Sequence, residues 1–129
     1  MILDTSAIVA IVFRESGWER LVTVMERADG LACGAPTLVE AGIVLGARSG
    51  CERPHIARFV QTFEVETVSH GAEHWIAALR AYDRFGKGRH RAALNYGDCL
   101  SYATAHLAQQ PLLCIGSDFR ETDLPLVEL

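Results

Sequence analysis

Four acids carry the chemistry this chain is equipped to do. Asp4 closes the apolar stub Ile2-Leu3 and is followed by two hydroxyl residues, Thr5 and Ser6. Glu40, Asp98 and Asp118 recur at comparable places, where strand-like runs give way to helix. Acids of this kind, brought to one edge of a sheet, make a site for a hard divalent cation, Mg²⁺ or Mn²⁺. Such cations take oxygen ligands from a few carboxylates, water and substrate phosphate. Clustered carboxylates repel one another without a cation, so the cluster has a physical need for metal. A bound metal acidifies water and stabilises charge on phosphoryl oxygens, and phosphodiester hydrolysis by metal-activated water follows as the reaction class.

Each acid also has a plainer reading. A charge in an apolar run, as at Asp4, is costly unless it is paired or liganded, which favours function. Asp98 opens a helix, where negative charge is favourable in any case. Taken alone, Glu40 reads equally well as a solvated helix acid and Asp118 as a turn residue. Asp123, with Thr122 before it, is a turn or cap that ranks as an outer acid of the site. Glu19, Glu26 and Glu52 read as solvated helix faces. Thr5 and Ser6 can cap the first helix, and either can orient a water bound to the metal; the two roles are compatible.

A basic stretch adjoins the third acid. Arg84, Lys87, Arg89, His90 and Arg91 are opposed only by Asp83. Charge runs are usually solvated surface. Here glycines alternate with Lys87, Arg89 and Arg91, which suits contact with an RNA backbone that positions substrate without reading sequence. The loop leads directly into Asn95, which is expected to support Asp98. The five histidines show no zinc spacing and read as surface or packing residues. No Ser-His-Asp order, P-loop or glycine-rich nucleotide loop is present.

The elements that must position these residues alternate. The spacing predicts strands at 1–4, 31–33, 65–68 and 112–115, with a further edge strand at 126–129. Helices are expected through Ala7–Phe13, Trp18–Ala28, Pro36 to Ser49-Gly50, Pro54–Phe63, Gly71–Gly86 and Asn95–Leu107. Small residues at Ala41, Gly42, Gly46 and Ala47 predict close packing of the third helix. Alternating strands and helices imply an α/β layer fold with a mainly parallel sheet. Ligands in such sheets bind beyond the carboxyl ends of the strands, at a switch in strand order. Right-handed crossovers place all four acidic junctions on that edge.

With 129 residues, half of them hydrophobic and 22% charged, the chain reads as one soluble domain over residues 1–129. No apolar run reaches the ~18–20 residues a membrane span needs, and no basic stretch or cleavage-like segment opens the chain. A cytoplasmic location follows, with Cys33, Cys51, Cys99 and Cys114 reduced. No two of them form a C-x-x-C pair, and Cys33 and Cys114 are expected to pack as small hydrophobes. The formal charge of −4 argues against a surface that grips nucleic acid everywhere.

Four stretches in order give the chain a resemblance. They are Ile2-Leu3-Asp4-Thr5-Ser6-Ala7, Pro36-Thr37-Leu38-Val39-Glu40, the run from Gly86 to Cys99, and Pro111 to Phe119. Together they resemble the PIN-domain proteins, and specifically the VapC toxins of bacterial toxin–antitoxin pairs; the third is similar to a mycobacterial-type subgroup. The resemblance implies a PIN-like α/β/α sandwich and a Mg²⁺- or Mn²⁺-dependent endoribonuclease. It gives Asp4, Glu40, Asp98 and Asp118 the acidic-quartet roles, with Asp4 and Asp98 as direct ligands. It also implies a homodimer, inhibition by a VapB antitoxin whose tail brings an Arg to the acidic site, and operator DNA bound only through that antitoxin. Exposed apolar faces on the early helices, including Trp18, are expected to serve the dimer or the antitoxin. The alternatives are a PIN nuclease of RNA processing outside a toxin–antitoxin pair, and a non-catalytic RNA-binding module. A neighbouring antitoxin gene argues against the first, and the intact quartet against the second. A phosphoacceptor receiver domain fits poorly, because 65–68 lacks its Asp and Lys87 is the only lysine.

Overall fold

The structure is a computed structural model that describes residues 1–50 and 54–129; the expectations placed on Cys51 and Glu52 lie outside the described residues. The elements are β1 (Ile2–Leu3), α1 (Thr5–Val12), α2 (Trp18–Glu26), β2 (Ala32–Gly34), α3 (Ala35–Ser49), α4 (Pro54–Thr62), β3 (Glu66–Val68), α5 (Ala72–Phe85), α6 (Tyr96–Ala108) and β4 (Leu112–Leu113). A 3₁₀ turn follows at Asp118–Glu121.

The four strands are parallel in the order β3-β2-β1-β4. The chain builds outward from β1 to β3, then crosses to the other side of β1 to lay down β4. The strand order therefore reverses between β1 and β4, and the crevice for a ligand opens beyond their carboxyl ends.

Alternation along two-residue strands sorts the core into two layers. Ile2 and Leu112 point into a cluster with Ala81, Leu94, Tyr102 and Ala103 from the α5–α6 side. Leu3 and Leu113 point the other way, among Ile8, Leu21, Cys33 and Leu45 from the α1–α4 side. A side-chain period of two puts neighbours on opposite faces, so even these short strands anchor a three-layer α/β/α sandwich.

Local chemistry sets the helix boundaries. Pro36 lies in the first turn of α3, where its missing N–H is harmless, and Gly50 ends that helix at φ 65°. The small residues of α3 act as expected. Ala41 is fully buried, and Gly42 lets α4 approach: a Cβ there would stand 3.3 Å from Ile56.

Two expectations are corrected. The edge strand at 126–129 reduces to a single parallel bridge, Leu112 with Leu126, because Pro125 precedes it and has no N–H for a ladder. Trp18 is half-buried, with the Arg14 guanidinium 5.4 Å over its ring. Among the early helices the exposed apolar residues are Val39 and Ile43 of α3, and others lie on α5 (Trp75, Leu79) and at the start of α6 (Tyr96). Cys33, Cys99 and Cys114 are free thiols. Burial pushes Cys33 and Cys114 up to about 12 and Cys99 up to about 11, so all three are inert packing groups. Among the described residues no helix is long and apolar enough to cross a membrane.

Candidate active site

Asp4 sits where β1 ends. Its amide donates to the Leu113 carbonyl at 3.0 Å, which locks it to the end of β4. Asp4 is itself the N-cap of α1, the role expected of Thr5 or Ser6. Its Oδ2 accepts from the Ser6 amide at 2.9 Å and the Ser6 hydroxyl at 2.6 Å. The residue is 5% exposed, so those donors replace water that burial removes. Ser6 also receives the Ile115 amide at 2.9 Å, tying the start of α1 to the loop after β4.

Thr5 acts in the other direction. Its hydroxyl donates to Glu40 Oε2 at 2.6 Å, reaching from α1 to the second turn of α3. Thr5 and Ser6 thus divide the work: one fixes Glu40 and the other fixes Asp4.

Glu40 has a further neighbour that the sequence reading missed. A Cβ on Gly97 would lie 2.4 Å from Glu40 Oε1 and 2.8 Å from its carboxyl carbon. The Glu40 carboxylate therefore rests against bare backbone in the first turn of α6. Only glycine leaves that space. The residue stands directly before Asp98, which was the available signal.

Asp98 is held by a reciprocal capping box. Its Oδ2 accepts from the Asn95 amide at 2.8 Å, and the Asn95 side chain accepts from the Asp98 amide at 3.0 Å. Asn95 thus supports Asp98 as expected. Burial pushes the Asp98 carboxyl up to about 6, with Asp4, Asp118 and Glu40 adding to the rise and the Asn95 amide opposing it. Asp4, Glu40 and Asp118 are thus all electrostatic neighbours of Asp98. Asp118 opens the 3₁₀ turn and is exposed.

Asp123 stands apart. It accepts from the Tyr102 hydroxyl at 2.6 Å and pairs with Arg84 at 2.9 Å, so it braces α5 and α6 rather than the acidic cluster. The basic loop is also more neutralised than its sequence implies. Arg89 pairs with Asp83 at 3.4 Å and Arg91 with Glu121, an acid the reading of the loop did not count. Lys87 enters no ion pair among the described residues. His70 and His74 are packing residues as expected: their rings stack at 4.3 Å, and His70 meets Thr104 at 2.8 Å.

The donor set fits a hard divalent cation. It is all oxygen, and Asp4 and Asp98 each have Oδ2 fixed by the chain while Oδ1 makes no hydrogen bond among the described residues. The carboxylates are electrostatic neighbours without forming a closed shell. Among the described residues, no group of three or more His, Cys, Asp or Glu stands close enough to hold a metal ion.

A parallel sheet with an acidic cluster at its switch point defines a class, and comparison with known proteins agrees. The PIN domain family matches residues 1–124. Ribonuclease VapC36 of Mycobacterium tuberculosis is 48% identical over 126 residues, covering 96% of this chain and 91% of that protein. A ribonuclease VapC of Mycolicibacterium smegmatis is 40% identical over 130 residues, covering 98% and 99%. Among solved structures, M. tuberculosis VapC20, described as a sarcin-ricin loop cleaving toxin, superposes with a TM-score of 0.78 at 17% identity over 99% of this chain and 98% of that one. A toxin–antitoxin complex from Klebsiella pneumoniae gives 0.71 at 16% identity, over 98% and 95%. The chain belongs to the PIN-domain family and, within it, to the VapC ribonucleases.

Proposed function

We propose that this protein is the toxin of a type II toxin–antitoxin pair, a single-domain endoribonuclease that needs Mg²⁺ or Mn²⁺ and acts in the cytoplasm. The observation that carries the reading is the convergence of the acids where β1 and β4 end: Asp4 bonds to Leu113 there, Thr5 beside it holds Glu40, and Glu40 rests against Gly97, the residue before Asp98.

Asp4 and Asp98 are the residues to hold the cation directly, with Glu40 and Asp118 reaching it through water or holding a second one. When bound, the cation supplies charge neutralisation at the phosphoryl oxygens and acidifies water. The chain's own contribution is preorganisation. Ser6 and the N-terminal end of α1 fix one Asp4 oxygen, and Asn95 fixes one Asp98 oxygen, so each carboxylate offers its other oxygen in a set direction. Thr5 and Gly97 set the Glu40 carboxylate at the edge of the site, where it can accept a proton from an attacking water. Lys87 meets the RNA backbone as a point charge; Arg89 and Arg91 first have to leave their acidic partners.

A VapB-type antitoxin is the partner this reading calls for. The acidic cluster attracts a guanidinium as readily as a cation. The groove of about 880 Å³ between α3 and α4, bordered by Val39 and Ile43, offers apolar ground for a peptide segment. A homodimer belongs to the same reading, as does operator DNA held only through the antitoxin.

The test is incubation of antitoxin-free protein with total bacterial RNA in Mg²⁺, Mn²⁺ or EDTA, beside Asp4→Asn and Asp98→Asn. Discrete fragments that need the metal and vanish in both variants are expected. Folded protein that binds RNA but cuts none with either metal refutes the nuclease.

A further inference from the structure

Beside the carboxylates lies a cleft that their chemistry does not use. Trp75, Leu79 and Tyr82 of α5, Lys87 of the basic loop, and Asn95 and Tyr96 at the start of α6 line a space of about 630 Å³. That falls within the ~300–1,000 Å³ of small-ligand clefts. Trp75 is 57% exposed and Tyr96 81%, so neither ring serves the core. Tyr82 forms a fixed wall: the Arg89 guanidinium stands 5.4 Å from its ring centre, and its hydroxyl is 3.5 Å from the Lys87 carbonyl oxygen. The cleft and the acidic site share Asn95, which borders the cleft while its amide donates to Asp98 Oδ2.

We propose that this cleft seats an unpaired base of a single-stranded RNA substrate, adjacent to the nucleotide whose phosphodiester lies at the carboxylates. The base stacks on Trp75 and Tyr96, and the Lys87 ammonium meets its phosphate. The proposal rests on the ribonuclease reading above and names how that site takes its substrate. Three features select this occupant. Open aromatic faces stack any base, which gives affinity without a sequence code. Lys87 has no ion pair among the described residues, so a phosphate completes it, whereas an apolar protein face would bury its charge unpaired. And the shared Asn95, hydrogen-bonded to Asp98, places the cleft beside the carboxylates rather than on a remote surface.

The chain has two tryptophans, so Trp18→Phe leaves Trp75 as the sole reporter. This variant is titrated in EDTA with a short oligouridylate and with an abasic ribose-phosphate chain of equal length. Quenching of Trp75 by the oligouridylate and not by the abasic chain is expected. Tyr96→Ala and Lys87→Ala should each weaken oligouridylate binding roughly ten-fold. Equal affinity for both chains with unchanged emission overturns the proposal. So does a dimer in sedimentation that Trp75→Glu dissolves without loss of RNA affinity, because a second copy then covers the cleft. Cleavage of total RNA by wild-type protein in Mg²⁺ separates the two claims. Cleavage without quenching refutes the cleft alone; neither cleavage nor binding refutes the ribonuclease reading with it.

Discussion

Asp98 holds its proton more tightly in the folded chain than out of it, because burial and three neighbouring acids raise its carboxyl from 3.8 to about 6. Protonation therefore favours the fold: the stabilisation is full below about pH 4 and is lost as pH rises through about 6. Through Asp98, metal-free protein should gain stability from pH 7 toward pH 5, against the opposite pull of His70, whose imidazole burial pushes down; Asp98→Asn should remove the Asp98 part, and thermal melts of the two proteins across this range decide it. Proton and cation compete for the same carboxyl. Mn²⁺ affinity by calorimetry should accordingly fall about ten-fold per unit below pH ~6. Gly97 makes a sharper case. Gly97 lies in the first turn of α6, where alanine's ~1 kcal/mol helix-interior advantage is only partly felt and offsets the loss of the Thr5–Glu40 bond, so Gly97→Ala should change the melting temperature little. Its methyl would displace the Glu40 carboxylate, and cleavage should drop at least ~10-fold. A fully active, stable variant would sink the role assigned to this glycine. The four acids were legible in the sequence because donors announce themselves by type and position. Gly97 was not, because what it contributes is an absence of atoms opposite a residue 57 positions away. The split between Thr5 and Ser6 was hidden for the same reason: both can cap a helix, and only the placement of α3 shows that Thr5 turns to Glu40.

At the level of elements, α6 is the one whose beginning matters most, since the capping box that starts it also aims Asp98. Asn95→Ala should lower stability by ~0.5–2 kcal/mol in urea unfolding. It should also reduce cleavage further than that loss of folded protein explains, and a purely structural cap would not. The helices were readable from their 3.6-residue period and their end signals: Pro36, Gly50 and Asn95 mark the boundaries the structure has. The strands were harder. β1 and β4 pair over only two residues each, and the apolar runs that announced them extend beyond the pairing. An apolar run records burial, not hydrogen bonding, and the difference appears at 126–129, where Leu126 and Val127 stay half-buried but the ladder stops at one bridge.

For the whole molecule, the balance of charge sets how it meets RNA. The net charge is −4, and two of the three basic residues expected to grip RNA are paired within the chain. Few phosphates are neutralised, so binding should depend only weakly on salt. Each contact to a single strand adds about −0.7 to the slope of log affinity against log salt, and Lys87→Ala should flatten the slope by about that amount. Arg91→Ala should change it little, because Arg91 faces Glu121. The overall architecture was legible from alternation of strand and helix alone. The distribution of exposed apolar surface was not, since Trp18 and Trp75 look alike in sequence and differ only in what packs over them.

The jump in strand order from β3 to β4 has a consequence in time as well as space. Asp4 is made long before its partners: Leu113 receives its amide, and Ile115, whose amide meets Ser6, follows 109 positions after that serine. Synthesis is directional and slow beside local folding, so a growing chain completes the α1–α4 layer while β1 still lacks its second neighbour. A nascent chain on the ribosome thus holds no assembled carboxylate cluster, and the messenger being translated is exposed to the activity only once β4 and the Asp118 turn have emerged.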